Sequence, residues 1–320
     1  MAIVTKTLKT SGGDYSSFQT WESTEQTDLV AAGDSHVLEI SAGEYIGGGT
    51  VGAWTTDATH TITIKAAAGS EHGGIWGAGA KLSVAGAAVL NISQAYVLVQ
   101  DIELQSGVDA SGNCLAALGD PSYYTGLLIG NDAATRAVVG GVTVISSGYF
   151  HNCVIKNFNR GYYSLVSSAP VKNCTFIGNN HGAYVSTAPA FPASNCVGFD
   201  NDSLDFFQSK AGGWTGSGNA SEDASAPGTA PITGIVAADF YNFAGGDYRA
   251  VEGGALDGSG ADLSGTFTTD ITGATRSTPW DVGAWIAVAA PAGGGDGFGG
   301  IVSPVAASLV DAVAMDITHR

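Results

Sequence analysis

The sequence predicts an all-β protein, a single-stranded right-handed parallel β-helix, from a short internal repeat and an unusual composition. Each of the four cysteines follows an asparagine, and the last three recur in steps of about 21 residues. A repeat of this length is too short for a helix pair and fits one coil of a solenoid. Glycine accounts for 47 of the 320 residues, roughly twice the usual share, as expected for many strands joined by tight turns.

The repeated text is clearest in three segments that begin at residues 152, 173 and 195. They read NCVIKNFNRGYY, NCTFIGNNHGAY and NCVGFDNDSLDF. Each copy has a short strand-like run followed by a corner rich in Asn and Gly, the residues that best tolerate a left-handed backbone. Because stacked coils place equivalent positions about 4.8 Å apart, the segments predict strands that pair in parallel, coil upon coil.

The same register predicts a column of Cys153, Cys174 and Cys196 inside the core. Side chains on adjacent parallel strands keep their Cβ atoms about a strand spacing apart, slightly beyond the usual disulfide range. We therefore expect free, buried thiols that act as small hydrophobic groups. The alternative is a metal site, which needs converging ligands with spacings such as C-x₂-C. No such spacing occurs, so we predict neither a metal nor another cofactor.

Four segments follow from the pattern along the chain. Near the start, DYSSFQTWESTE places Phe18 and Trp21 on one helical face, and we expect this short helix to cover the open end of the solenoid. The final segment is too short to build its own core, so we expect it to dock on a partner subunit. The predicted divisions are an N-terminal cap (1–35), the β-helix (36–290), a Gly-rich linker (291–300) and a C-terminal tail (301–320).

The charge of the chain limits its partners. The formal net charge is −17, with only 12 Lys and Arg residues, so the surface repels phosphate backbones and anionic lipids. We expect no nucleic-acid ligand and no membrane attachment. The N-terminus, MAIVTKTLKTSGG, lacks the apolar stretch of a signal peptide. We therefore expect synthesis in a host cytoplasm without export.

Two segments resemble a known group of proteins. The texts KTSGGDYSSFQTWES and AAGDSHVLEISAGEY, within residues 6–45, resemble the opening of right-handed β-helix proteins of the pectate-lyase-like superfamily, especially versions encoded by bacteriophages. Towards the end, GDYR and TTDITGATRSTPWDVGA resemble the closing coil of such proteins. The resemblance spans roughly residues 5–288. The matching positions of the closing coil are Asp270, Gly273, Arg276, Asp281, Gly283 and Ala284.

The resemblance implies a fold shared by polysaccharide-cleaving enzymes, adhesins and virion components. It also implies a structural ion pair between Arg276 and Asp270 or Asp281, which would tie the last coil to its neighbour. Enzymes of the superfamily cleave polysaccharides with carboxylates on neighbouring coils, or with a basic residue beside a calcium ion. These alternatives make the acidic residues of the chain the first candidates for catalysis.

The candidate catalytic residues are Asp101, Glu103 and Asp200. Asp101 and Glu103 are expected to share one strand face, and a glycosidase pair needs carboxyl groups about 5–9.5 Å apart. Asp200 opens the densest acidic cluster, with Asp202 and Asp205. Alternation along a strand separates these carboxylates between two faces, so we interpret the cluster as a solvated turn and the first pair as an exposed sheet face.

Three aromatic residues are candidate binding residues. Tyr123 and Tyr124 lie in a predicted insertion at residues 107–135, and Trp214 lies in a later irregular stretch. Such rings stack on sugars or pack on a protein partner. The alternative is core filling, because adjacent residues of a strand point to opposite faces.

These observations favour a bacteriophage virion structural protein without catalytic activity: a head decoration, a fibre or a tail-associated β-helix. We expect it to contact other virion subunits through its tail, as a monomer on a lattice or as a homo-oligomer such as a trimer, and to be located in the virion. The alternatives are a tailspike-like polysaccharide depolymerase and an adhesin that binds a surface glycan.

Overall fold

The computed structural model describes residues 2–85, 88–107, 112–131, 140–166, 169–186, 190–210 and 212–290. Within them the chain winds through three long parallel sheets, which we name sheets A, B and C in the order of each coil. The predicted all-β parallel β-helix is confirmed. The predicted linker (291–300) and tail (301–320) lie outside the described residues, as does part of the predicted insertion.

The strands are numbered in chain order. Sheet A contains β1 (Ala2–Leu8), β2 (Asp34–Ile40), β5 (Ile62–Ala66), β8 (Val97–Gln100), β11 (Ser122–Thr125), β14 (Gly148–His151), β17 (Val171–Lys172), β20 (Phe191–Ser194) and β23 (Trp214–Thr215). Sheet B contains β3 (Gly43–Ile46), β6 (Ala80–Val84), β9 (Glu103–Ser106), β12 (Leu128–Asn131), β15 (Val154–Lys156), β18 (Thr175–Ile177), β21 (Val197–Phe199), β24 (Ala220–Ser221) and β25 (Ile232–Thr233). Sheet C contains β4 (Gly49–Val51), β7 (Leu90–Ile92), β10 (Asn113–Ala117), β13 (Gly140–Val144), β16 (Arg160–Ser164), β19 (His181–Val185) and β22 (Leu204–Gln208).

The remaining elements lie at the two ends. Near the start are α1 (Phe18–Glu25) and α2 (Leu29–Ala32), and near the end are two 3₁₀ helices (Ala237–Asp239 and Phe243–Gly245). An antiparallel pair, β26 (Phe240–Asn242) and β27 (Asp247–Ala250), follows the last coil. None of the helices in the described ranges is long and apolar enough to cross a membrane.

The N-terminal cap is shorter than predicted. Helix α1 begins after Ser17, whose side chain accepts a hydrogen bond from the Thr20 amide at 3.2 Å. It buries Phe18 and Trp21 against the end of the core. Strand β1, in contrast, pairs with β2 along its whole length, so it belongs to the β-helix. The alternating Val, Ile and Thr of AIVTKTL favour a strand, and the cap consists of the segment between β1 and β2.

The corner between sheets A and B has a left-handed backbone in consecutive coils. Its residues, with φ angles between 49° and 63°, are Asp101, Gly126, Asn152, Asn173 and Asn195. The repeated Asn-Cys dipeptides of the sequence lie at this corner. The asparagine takes the left-handed conformation, which its short polar side chain tolerates, and the next residue turns back into the core.

The three cysteines that follow these asparagines lie one coil apart. The residues after them, Val154, Thr175 and Val197, are register partners in sheet B. Cys153, Cys174 and Cys196 are free and completely buried, and each lies within reach of main-chain carbonyls; the Cys153 thiol, for example, lies 3.2 Å from the His151 carbonyl oxygen. They therefore fill the core at the corner.

Residues 251–289, which we name the closing segment, pack over the outer face of sheet B. Its Ile271 and Trp285 form a buried cluster with Leu128 and Val154, which point outward from β12 and β15. The Ala284 amide also donates to the Thr175 hydroxyl at 3.1 Å. In β12, β15, β18 and β21 nearly all residues of sheet B are thus buried, whereas the strands of sheet A alternate between buried residues and half-exposed or exposed ones.

The asparagine corner holds the closing segment at three points. Asn152 donates to the Thr269 carbonyl at 2.9 Å. Asn195 both donates to the Ala261 carbonyl at 2.8 Å and accepts from its amide at 2.7 Å. Between them lies Asn173, which meets the buried guanidinium of Arg276.

Arg276 is the centre of this attachment. With its amide oriented to accept, Asn173 receives hydrogen bonds from the three guanidinium nitrogens at 3.0–3.2 Å. The guanidinium also donates to the carbonyls of Gly283 at 2.9 Å and Trp285 at 3.3 Å. The hydrogen bonds thus go to carbonyl and amide oxygens, and the expected carboxylate partners act through charge. Burial lowers the pKa of Arg276 to about 10, and nearby Asp270 and Asp281 oppose this shift.

Candidate functional site

The candidate functional site is a groove on the outer face of sheet B, at the place where the closing segment leaves that face open. It consists of two adjoining cavities of about 460 and 310 Å³, which share Trp76 and Lys156. We name it the Trp76 groove. One wall is the loop before β6 and the other is formed by residues 245–249, Thr272 and Trp285.

The loop that carries Trp76 is glycine-rich and is fixed at two points. His72 is buried, and its Nε2 lies 2.6 Å from the Gly126 carbonyl while its Nδ1 accepts from the Gly74 amide at 2.8 Å. The imidazole is therefore neutral with its proton on Nε2, and burial lowers its pKa. Further along, the Gly77 amide donates to Glu103 at 2.7 Å. These three hydrogen bonds, made by His72 and Gly77, hold the intervening Trp76 over sheet B.

Trp76 lies directly on the sheet because position 130 has no side chain. A Cβ at Gly130 would come within 2.7 Å of the indole ring. Beside it, the Lys156 ammonium lies 3.8 Å from the ring centroid, within the range of a cation–π interaction. The floor of the groove therefore combines an aromatic ring with a positive charge.

Paired charges flank this floor on both sides. Lys81 donates to Gln105 at 2.8 Å and forms an ion pair with Glu44 at 3.2 Å. At the opposite wall, Arg249 forms a two-pronged ion pair with Asp247, with contacts of 2.9 and 2.6 Å, and these hydrogen bonds raise the pKa of the guanidinium.

The arrangement suits a polyhydroxylated ligand. Hydrogen-bond donors and acceptors, among them Lys81, Glu103 and Gln105, line the groove next to an indole ring. Sugar hydroxyls both donate and accept hydrogen bonds, and the apolar face of a sugar packs on aromatic rings.

Asp101 and Glu103 do not share a strand face, so that prediction was wrong. Asp101 occupies the left-handed corner before β9, where burial raises its pKa to about 6 and the Gln100 amide nitrogen lies 3.1 Å away. Glu103 points outward but is only 1% exposed, because the Trp76 loop covers it. The turn between the strands, which alternation ignores, separates the two carboxyl groups.

In the acidic cluster, Asp200 and Asp202 lie exposed in a turn, as expected, whereas Asp205 is buried, so the expectation of a solvated turn was wrong for that residue. A hollow of about 300 Å³ is lined by this turn and by Glu222 and Asp223 of the next coil. Asp205 is 2% exposed, accepts hydrogen bonds from Asn201 at 2.6 Å and from the Glu222 amide at 2.7 Å, and has its pKa raised to about 6 by burial. The described part of the chain holds no trio of His, Cys, Asp or Glu arranged as metal ligands.

The three aromatic candidates lie in different environments. Tyr123 is 46% exposed on sheet A. Tyr124 is completely buried and stacks on Phe150 with ring centroids 4.5 Å apart, so the expectation of a surface ring was wrong there. Trp214 is half-buried and packs edge-on against Phe191 at the end of the core. The period of two along β11 explains the contrast between the neighbouring tyrosines.

The sequence-based search missed Trp76, Gln105 and Arg249. They come from distant parts of the chain: Trp76 and Gln105 line one cavity of the groove, and Arg249 lines the other. The one available signal was the density of glycine around Trp76, where five glycines between residues 69 and 79 have positive φ angles. Such a loop has a shape that few other residues can adopt.

No protein-family model matches the chain, and no curated protein matches it. Among solved structures, the chain is similar to the crystal structure of pectate lyase Pel9A, with 12% sequence identity and a TM-score of 0.48, over 90% of this chain and 97% of that chain. The assignment of the fold rests on the strand pairing described above.

Proposed function

We propose that this chain is a structural β-helix of a bacteriophage particle, without catalytic activity, which contacts a neighbouring subunit through residues 291–320. The resemblance of residues 5–288 to phage-encoded β-helices of the pectate-lyase-like superfamily supports the phage origin. The contacts of the closing segment support the structural role.

The observation that carries the proposal is the three-point attachment of the closing segment. Asn152, Asn173 and Asn195 lie on three consecutive coils, and each binds a different part of that segment. When a tail tethers a protein to a particle, any mechanical force on the tail is transmitted to the folded β-helix. Several hydrogen bonds along consecutive coils, one of them to a buried guanidinium, distribute such a load.

The acidic residues support a non-catalytic role. Glu103 accepts a hydrogen bond from the Gly77 amide, and Asp205 accepts one from the Glu222 amide. In both cases the carboxylate stabilises a loop of its own chain. Catalytic carboxylates, in contrast, must reach a substrate within about 3 Å.

The test is particle incorporation. We compare full-length chain with a deletion of residues 291–320 and with a variant in which residues 301–320 are replaced by a Gly-Ser segment of equal length. Particles assembled with each version are purified, and the amount of chain per particle is measured by quantitative mass spectrometry. We expect both variants to fold, by circular dichroism, and to be lost from particles. Unchanged incorporation, or absence of the full-length chain from particles, contradicts the proposal.

A second candidate function is glycan binding, favoured by the Trp76 groove. Its indole ring, the adjacent ammonium of Lys156 and the flanking ion pairs offer the mixed surface that sugars need. In a virion protein such a groove would contact a host surface glycan. A polysaccharide depolymerase would use the same groove but would also release oligosaccharides.

A glycan array followed by titration calorimetry separates these functions. We expect Trp76→Ala to weaken binding about five- to thirtyfold, from the loss of roughly 1–2 kcal/mol of ring contact. Tyr123→Ala, which removes an exposed ring from sheet A, is the matched control and should leave the affinity unchanged. An equal loss of affinity in both variants, or the absence of any glycan bound by the wild type, excludes the groove as a glycan-binding site. Release of oligosaccharides from a bound polysaccharide would instead establish a depolymerase.

A further inference from the structure

The outer face of sheet A carries a straight row of side chains with little charge. Its members, one from each of six neighbouring strands and joined by exact register pairing, are Thr5, Val37, Thr63, Leu98, Tyr123 and Tyr149. We name it the open row. With strands about 4.8 Å apart, it is about 24 Å long.

The two ends of the open row have opposite shapes. At one end Tyr123 and Tyr149 stack with ring centroids 4.9 Å apart and an interplanar angle of 12°, and Tyr123 projects with 46% of its surface exposed. At the other end is a shallow hollow of about 610 Å³. Its lining residues are Ile3, Ser35, Val37, Ala58, Thr59, His60, Thr61 and Thr63. The row therefore pairs an aromatic projection with an apolar recess.

The charge of the chain makes this face suitable for contact between copies. Two chains of formal charge −17 repel each other over most of their surfaces. The open row has no Asp, Glu, Lys or Arg, and the outward row beside it carries Glu39 paired with Lys65 at 3.1 Å. An acidic copy can approach this face without bringing unpaired carboxylates together.

We propose that two copies associate through the open row around a two-fold axis, with Tyr123 and Tyr149 of each copy seated in the hollow of the other. A two-fold contact uses the same patch on both copies, so projection and recess must lie on one surface. The open row meets this requirement, with the axis near its middle. The contact also buries Ile3, which is 64% accessible at the hollow.

Sedimentation velocity of the full-length chain tests the proposal, over concentrations from about 1 to about 100 µM. We expect a monomer–dimer equilibrium. Tyr123→Glu and Thr63→Glu should each raise the dissociation constant by at least about 30-fold, the effect of losing a central contact. Thr215→Glu adds the same charge to an exposed position on the last strand of sheet A and should leave the constant unchanged. Circular dichroism verifies that each variant is folded.

A charge exchange makes the test specific for the two-fold geometry. In a mixture of Tyr123→Glu and Thr63→Lys chains, the new carboxylate of one copy meets the new ammonium of the other, so a mixed dimer should form from two variants that associate poorly alone. A wild-type chain that stays monomeric, a trimer, a dimer unaffected by both glutamate variants, or a mixture without the mixed dimer overturns the proposal. None of these results bears on incorporation into particles.

Discussion

Sheets A and B are built from similar strands, yet their outer faces have opposite environments. The middle of the outer face of sheet B is covered by the closing segment, so that Leu128 and Val154 are completely buried. The outer face of sheet A carries Leu98 and Tyr123 half-exposed or exposed. The comparison teaches that burial in a solenoid depends on what returns over each sheet, and that strand sequence alone does not reveal it.

The largest expected effect comes from removing the anchor that keeps sheet B covered. Arg276→Ala leaves the Asn173 oxygen and the Gly283 carbonyl without their buried donor, and we expect the free energy of unfolding to fall by about 3–5 kcal/mol. Chemical denaturation monitored by tryptophan fluorescence measures it. Arg276→Lys retains the charge but not the planar set of donors. Its free energy of unfolding should lie between those of the wild type and Arg276→Ala. Equal stability of all three chains would show that the closing segment is held by its apolar contacts alone.

The next largest effect is the loss of stability on truncating a leucine of sheet B, compared with a leucine of sheet A. Both side chains point away from the core. Leu128→Ala should destabilise the fold by about 2–4 kcal/mol, because it opens a cavity beneath the closing segment. Leu98→Ala on sheet A should cost less than about 1 kcal/mol, since water already reaches that side chain. Both are measured by denaturation at concentrations where copies do not associate. Similar costs for the two variants would mean that sheet A is also covered.

A smaller effect concerns the corner that joins the two sheets. Asp101 has its pKa raised to about 6 by burial, so between pH 4 and 6 the folded state binds more protons than the unfolded state. The free energy of unfolding should therefore fall as the pH rises through this range. Asp101→Asn places an asparagine where later coils already have one. Because asparagine does not ionise, the variant should not lose stability as the pH rises.

We expect Asp101→Asn to be more stable than the wild type by about 1–2 kcal/mol at pH 8, and nearly equal to it at pH 4. Thermal or urea unfolding at the two pH values measures the difference. A variant that is less stable at both values would show that the carboxylate has a favourable partner that asparagine cannot replace.

The smallest effect is expected for the buried thiols, three of which lie at the same corner while Cys114 lies in β10. All four cysteines are free and buried, and burial raises the pKa of Cys114 and Cys153. A thiol-reactive reagent such as Ellman's reagent should therefore label none of them in the native chain, since thiolate and access are both required. Labelling of the four sites should appear only after unfolding. Rapid labelling of the native chain would indicate that the corner opens.

The repeat predicted the fold because its period is a property of local sequence. Asn152 and Asn173 occupy left-handed corners, as the Asn-Cys dipeptides indicated. The function of their side chains was not predictable, because their partners, Thr269 and Arg276, lie more than a hundred residues away along the chain. The candidate site was missed for the same reason. Glu103 was misjudged because alternation describes a strand but neither the turn before it nor the loop that covers it, whereas alternation along β11 does account for the burial of Tyr124.

By itself, then, the amino-acid sequence determined the coil period, the parallel pairing and the buried cysteines, since these follow from short-range conformational preferences repeated along the chain. Only the tertiary structure decided which sheet faces are covered, where Trp76 meets Lys156 and where Tyr123 remains exposed. These features depend on how the closing segment packs across distant coils. Such packing is set by shape and by long-range contacts that no local pattern encodes.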